Sequence, residues 1–260
     1  MIILFDIGNT HTHVGLAGLR RVLRHVNIPT RSWGGREAMK RLRDFVGRSR
    51  IDGAALCSVA PQRTGDVVAA FGRISKGPCV QLAHDGSLGI AIDYPRPETI
   101  GPDRLANAIA ANEKHGAPCV VVDFGTAVTF DVVDRGGAYA GGVIAPGISA
   151  MTDYLHEKTA LLPRIQVRDT AATIGKNTEE AMRIGAVRGY RGLIREILSG
   201  IRAELRARRL PVVATGGCAG LIATGMPEIT AIDPLLTLEG LRLVWERRAI
   251  ESGWPTLPPK

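Results

Sequence analysis

The chain opens with the apolar run IILFD, ends it on Asp6, turns through Gly8, Asn9 and Thr10, and resumes with the alternating THVGLAG. An apolar run, a Gly-containing turn and then period-two alternation predict a β-hairpin. The same reading predicts a third strand near 22–28, a helix over 35–48, a strand over 53–59, a helix over 61–74 and a strand over 78–83. Pro95, Pro97 and Pro102 mark 84–102 as an ordered loop rather than an element. In DRLANAIAANEKHG, Leu105 and Ile109 lie one turn apart, Pro102 suits a first helical turn and Gly116 suits the stop, so a helix is predicted from 103.

The pattern then starts again. CVVVDFGTAVTFDVVD and GGAYAGGVIAPG predict a second strand, turn, strand and strand, and laying Asp123 on Asp6 also lays Gly125 on Gly8 and Thr129 on Thr12. A duplicated unit is expected, with domains at 1–115 and 116–260. A helix near 147–160 and an irregular stretch through Pro163, Arg164 and Thr173 lead to a long helix over 178–207. Its apolar positions Met182, Ala186, Tyr190, Leu193, Ile197 and Ile201 step by three or four, and Asn177 or Thr178, helped by Glu180, caps it. The strand LPVVAT, the pair Gly216 and Gly217, a helix over 218–224, a strand over 228–232, a helix over 237–250 and a frayed tail GWPTLPPK complete the prediction.

Composition narrows the class. With 45% hydrophobic and 22% charged residues the chain is an ordinary globular one, not disordered or collagenous. No segment has the approximately 18–20 apolar residues of a membrane span, and Asp6 interrupts any signal-like start. The expectation is a soluble cytoplasmic protein with no membrane partner. The net charge of +8 comes from arginines in 20–50, 164–209 and 242–248, without interleaved aromatics, so small anionic ligands are expected rather than nucleic acid. Cys57, Cys79, Cys119 and Cys218 are far apart with no metal-type spacing and are expected to be buried free thiols.

An acid ending a buried strand before a Gly-containing turn can hold a hydrated divalent cation, while turn amides and hydroxyls meet phosphate. Asp6, Asn9, Thr10 and Thr12 provide that set once, and Asp123, Gly125 and Thr126 provide it again. Either alone reads equally well as an ordinary Asp-Gly hairpin; the repetition favours a nucleotide held by both turns. Gly216 and Gly217 permit close approach to an adenosine, or serve strand-to-helix geometry alone. Neither G-x-x-x-x-G-K-[ST] nor a G-x-G-x-x-G after the first strand is present, so phosphate binding here uses the hairpins. From the residues alone Asp103 reads as a dipole-favoured acid in a first helical turn, Arg104 as surface charge, Tyr94 as a packing aromatic and Thr178 as a cap that could still offer its hydroxyl. His11 and His13 flank Thr12 on a strand and lack a third ligand nearby.

DIGNT at 6–10, YPRPETIGPDR at 94–104, DFGTAVTFD at 123–131, GGVIAPG at 141–147 with Met151 and TALLP at 159–163, and IGKNTEEAMRIG at 174–185 resemble type III pantothenate kinase. That resemblance implies the acetate and sugar kinase, Hsp70 and actin superfamily: an α/β fold of two ribonuclease-H-like domains, mixed sheets flanked by helices, with a nucleotide cleft between them. It implies ATP-dependent phosphorylation of pantothenate to 4'-phosphopantothenate, the first step of coenzyme A biosynthesis. By the same resemblance Asp6, Ile7, Gly8, Asn9, Thr10, His11, Thr12 and His13 form the first ATP phosphate loop, and Asp123 with Thr126 the second. Asp6 would orient hydrated Mg²⁺, and Asp123 would lie near a monovalent cation, K⁺ or NH₄⁺. Gly101, Pro102, Asp103 and Arg104 would contact pantothenate, Asp103 as proton acceptor, with Tyr94 and Thr178 as further substrate contacts. A homodimer is implied, with the long helix against its partner and Ala186, Ile194 and Leu205 widening its apolar stripe for that contact. Two departures stand out: Pro102 replaces the family's usual small residue, and 20–45 gives no match. The alternatives are another small-molecule kinase of the superfamily, which would lack the 94–104 block, and a nucleotide-binding regulatory relative without catalysis, against which Asp103 speaks.

Overall fold

β1 (Ile2–Ile7) and β2 (His11–Ala17) form the opening hairpin, with Asp6 opposite His13 and Ile7 opposite Thr12. β3 (Val22–Pro29) pairs with β2, β4 (Gly53–Ser58) runs parallel to β1, and β5 (Cys79–Gln81) runs parallel to β4, giving the order β3-β2-β1-β4-β5. Covered on both faces, β1 reads as a continuous apolar run instead of an alternating one. Ile3, Phe5 and Ile7 join the core under α1 (Arg36–Val46) and α2 (Pro61–Gly72), which leaves Asp6 on the opposite face with Ile2 and Leu4. A two-residue strand, β6 (Ala91–Ile92), and a 3-10 turn at Pro97–Thr99 occupy the span expected to be loop alone. α3 (Pro102–His115) starts on its proline and stops before Gly116, whose φ is 74°.

The computed structural model describes residues 1–84 and 89–254. Positions 85–88 of the loop and 255–260 of the tail lie outside the described residues.

The second unit, His115–Pro234, repeats the first one's topology. β7 (Cys119–Phe124), β8 (Ala127–Val133), β9 (Ala138–Pro146), β10 (Val212–Thr215) and β11 (Ala231–Ile232) are arranged β9-β8-β7-β10-β11, with β10 parallel to β7. Strand by strand, β1 and β7 share one succession of buried and half-buried positions, with the acid half-buried in both. The turns differ in length. Ile7 pairs with Thr12 but Phe124 pairs with Val128, so the first turn holds one residue more. Thr129 therefore corresponds to His13, the partner of Asp6, and not to Thr12 as the constant offset implied.

α4 (Ile148–Lys158) follows β9. The long helix expected over 178–207 is three pieces: α5 (Thr178–Ile184), a π-helical turn at Gly185–Gly189, and α6 (Tyr190–Glu204). Asn177 caps it, accepting from Glu180 N at 2.9 Å while Glu180 Oε2 accepts from Lys176 N at 2.6 Å. The wider turn lies between two glycines, where no Cβ resists the change of pitch. Ala186, Tyr190, Ile194 and Leu198 are buried against the sheet, with Leu193, Ile197, Ile201 and Leu205 packed at the margin. Ile194 is thus a core residue, not part of a widened outer face. α7 (Ala219–Ala223) follows β10.

α8 (Leu236–Glu251) corrects the expected domain at 116–260, because from Leu235 the chain rejoins the first unit, Met1–Lys114. It packs on β1, β2 and β4. Gly240 comes so close to Ala106 O that a Cβ would stand 2.0 Å from it, and Trp245 fills the space a Cβ on Gly53 would need. Charged groups are drawn in too: buried Glu239 accepts from Val22 N at 2.8 Å, and Arg242 reaches Glu239, Glu246 and Leu19 O. Trp254 packs against Trp245 with ring centroids 5.4 Å apart, so the tail is ordered at its start. Cys57 and Cys119 are buried, Cys218 is half-buried and Cys79 is exposed, which corrects the expectation for the last two. No helix among the described residues is long and apolar enough to cross a membrane.

Candidate active site

In the first unit, β1 delivers Asp6 half-buried at the strand's end, with Gly8, Asn9 and Thr10 forming the turn. Gly8 N donates to His11 O at 3.1 Å, and a Cβ on Gly8 would meet that oxygen at 2.8 Å, so the tight turn excludes a side chain there. Asn9, Thr10 and His11 are exposed. Ile7 and Thr12 are not available as side chains: Ile7 is core, and the Thr12 hydroxyl accepts from Trp33 Nε1 at 2.8 Å and meets Thr30 Oγ1 at 3.1 Å. Both leave the expected phosphate loop as side-chain ligands, because strand alternation turns them inward. His13 Nδ1 lies 3.7 Å from Asp6 Oδ2, and burial, followed by His11 and His25, lowers the His13 pKa. A neutral imidazole beside the carboxylate follows at neutral pH.

Cys57 sits directly across the parallel pair from Asp6 and donates its thiol to Asp6 Oδ1 at 3.5 Å. Burial, then the charges of Asp6 and Asp103, push the Cys57 pKa well above its ordinary value, so it remains a thiol. Asp6 and Asp103, ninety-seven positions apart, thus act on one buried group. Sequence reasoning missed Cys57; its place between two apolar runs carried no signal of a carboxylate neighbour.

Asp103 stands half-buried in the first turn of α3. Burial raises its pKa, against the lowering effect of the Arg104 amide and guanidinium. Its Oδ1 accepts from Arg104 N at 2.9 Å and leans over Gly101, where a Cβ would come within 2.5 Å of it. A side chain at Gly101 would displace the carboxylate from this position. Pro102 opens the helix as its fixed φ favours. Tyr94 is exposed in the preceding loop.

In the second unit Asp123 ends β7, and Gly125 and Thr126 form the exposed turn. Two glycines wall it. A Cβ on Gly147 would meet Thr126 O at 2.2 Å, and one on Gly216 would meet Asp123 Oδ1 at 2.4 Å, with Gly216 also at φ 89°. Gly147 N donates to Thr126 O at 3.2 Å and Cys218 N to Phe124 O at 3.2 Å, fixing both walls to the turn. Thr215 occupies beside Asp123 the position that Cys57 holds beside Asp6. Thr178, the first residue of α5, belongs to this unit and is exposed. Among the described residues no three His, Cys, Asp or Glu side chains gather as a metal cage.

Two acid-and-glycine turns, one in each unit, are therefore built from one plan, and the first adds a second carboxylate. A family model described as type III pantothenate kinase matches residues 2–200. A type III pantothenate kinase of Akkermansia muciniphila is 47% identical, the match covering 93% of this chain and 96% of the relative. One of Methylacidiphilum infernorum is 42% identical over 94% and 88%. Among solved structures, a conserved Baf family protein of Campylobacter jejuni superposes with a TM-score of 0.62 at 19% identity, covering 97% of this chain and 99% of that one. The ethanolamine utilization protein EutJ of Carboxydothermus hydrogenoformans gives 0.52 at 14%, covering 94% and 89%. Those two likenesses bear on the fold. With the repeated hairpins and the paired acids of the first unit, the sequence matches place this chain in the type III pantothenate kinase family.

Proposed function

We propose that this chain transfers the terminal phosphoryl group of ATP to the primary hydroxyl of pantothenate, giving 4'-phosphopantothenate. The observation that carries the reading is Asp103: a carboxylate with a raised pKa, seated over a glycine, in the same neighbourhood as the strand-end acid Asp6. Phosphoryl transfer asks for positioning, charge neutralisation and a place for one proton. Asp103 takes the proton as the hydroxyl oxygen bonds to phosphorus and ADP leaves. Arg104, Gly101 and Pro102 hold the substrate beside it, and Tyr94 and Thr178 contribute further contacts.

The turns at 8–10 and 125–126 take the nucleotide's phosphates through amides and the hydroxyls of Thr10 and Thr126. Mg²⁺ arriving on ATP uses one or two carboxylates with phosphates and water, and the half-buried strand-end carboxylate of Asp6 would supply one. When bound, it neutralises phosphate charge. Asp123 is assigned a monovalent cation, K⁺ or NH₄⁺. A homodimer in the cytoplasm belongs to the same reading. What supports a second copy is the exposed set Met151, Tyr154, Leu155, Leu161 and Ile174, together with Gly185, Gly189, Gly192 and Gly200, whose Cβ positions are empty. Each exposed helical glycine costs about 1 kcal/mol against alanine, which close approach of another helix would offset. Incubation with ATP, Mg²⁺, K⁺ and pantothenate should yield phosphopantothenate by mass, and no product under any cation would sink the reading.

A further inference from the structure

The basic stretch that ends α6 is held in a fixed shape that the kinase reading leaves without a task. Arg206 takes φ 49°, turning the chain back, and Ala207 N donates to Arg202 O at 3.1 Å. The Arg135 guanidinium clamps the turn, donating to Leu205 O at 3.2 Å and to Arg206 O at 2.8 Å. Ala207 and Leu210, 6% and 4% exposed, anchor it on either side. Arg208 and Arg209, between these anchors, are exposed. They line a cavity of about 500 Å³, open to solvent, with Arg202, His115, Pro211 and Ala231.

Among the described residues no carboxylate lines this cavity. Arg208 and Arg209 have no ion pair or hydrogen bond among the described residues, whereas Arg191 and Arg195 on α6 are paired with Asp169 and Glu228. Arg202 is near enough to Glu228 to lower that acid's pKa, but Glu228 is already engaged by Arg195 at 2.6 Å. Converging cations repel unless an anion joins them, and a guanidinium fork matches phosphate oxygens. The volume is that of a small-molecule site, larger than one phosphate needs, and Pro211 and Ala231 can face an organic body. The cavity lies where β7 and β10 begin, roughly 17–20 Å of strand from the turn at Asp123.

We propose that this cavity is a second anion site, separate from the phosphate turns, which takes a small molecule bearing a pyrophosphate or comparable polyphosphate group. A concave site of a few cations, with no Phe, Tyr or Trp lining it among the described residues, favours such a ligand over a nucleic acid, which would need an extended basic stripe.

The test is calorimetric titration of pyrophosphate and of ADP into the full chain, wild type and Arg208→Gln/Arg209→Gln, at two salt concentrations. Arg202→Gln, on the helix, serves as a second variant. Wild type should show a binding event that the double variant weakens roughly tenfold or more per guanidinium removed, with turnover of ATP and pantothenate in the absence of added pyrophosphate unchanged. Tighter binding of ADP than of pyrophosphate at that event identifies a nucleotide ligand; equal binding identifies the pyrophosphate group alone. Identical titrations for wild type and both variants would overturn the proposal. So would a double variant that keeps pyrophosphate but loses steeply salt-dependent binding of random duplex, since the arginines would then serve nucleic acid.

Discussion

Asp103→Asn separates the catalytic and structural parts of the reading. The change keeps the side chain's shape and removes its charge, and the amide oxygen can still accept from Arg104 N, now 2.9 Å from the carboxylate. Burial raises the Asp103 pKa above the ordinary 3.8 and outweighs the Arg104 amide and guanidinium, which act to lower it. The folded chain therefore holds this proton to higher pH than the unfolded chain does. Stability from this group is fully present below the unfolded pKa and declines as pH rises through the folded value, so at neutral pH the ionised carboxylate is a net cost. Asparagine has no such cost, and the variant should be as stable as wild type at neutral pH or slightly more so. Turnover should fall about a hundred- to ten-thousand-fold, because an amide cannot accept the hydroxyl proton. That corresponds to approximately 3–5 kcal/mol in the barrier. Phosphopantothenate formation gives kcat, ATP titration shows that the nucleotide still binds, and thermal melts near pH 5 and pH 7.5 follow stability. In wild type, kcat/KM should rise with pH through the folded pKa, and the variant's residual activity should lack that rise. Unchanged kcat would return Asp103 to the role of a helix-opening acid, and a variant that melts earlier at neutral pH would refute the direction of the burial effect.

Gly216→Ala should lower the melting temperature and weaken ATP binding, since φ 89° costs about 1–2 kcal/mol with a Cβ and the contacts at 2.4 Å to Asp123 and 2.7 Å to Phe124 add about 1–3 kcal/mol; an unaltered melt and Kd would show that the turn yields freely. Cys57→Ser, which keeps a donor beside Asp6, should hold the Mg²⁺ requirement, while Cys57→Val should raise it; equal Mg²⁺ titrations would reduce the thiol to filler. Gly192→Arg fills open space and improves helix propensity by about 1 kcal/mol, so it should give well-folded monomers in sedimentation, and an intact dimer would place the interface elsewhere. Replacing Na⁺ by K⁺ or NH₄⁺ at constant ionic strength should raise the rate, and equal rates in all three salts would remove the cation from Asp123.

What the amino-acid sequence determined by itself was whatever depends on neighbours a few residues apart. The hairpins after Ile2 and Cys119, the strand-end acids Asp6 and Asp123, the helix opening at Pro102 and the cap formed by Asn177 and Glu180 all rest on local turn, capping and apolar-run chemistry. Tertiary structure decided what depends on register and on contacts between distant segments. One extra turn residue moved the match of Thr129 from Thr12 to His13, because pairing follows hydrogen bonds and not a constant offset. Ile194 went to the core because the helix meets the sheet along one line of its surface, which a broad apolar stripe does not single out. Gly216 drew its meaning from the Asp123 carboxylate, ninety-three positions back in the chain, which only folding brings against it. α8 is the clearest case: buried on most of its circumference, with Glu239 and Arg242 drawn inside, it shows no single apolar face, so nothing in its own periodicity could say that it returns to the first unit to pack on β1, β2 and β4.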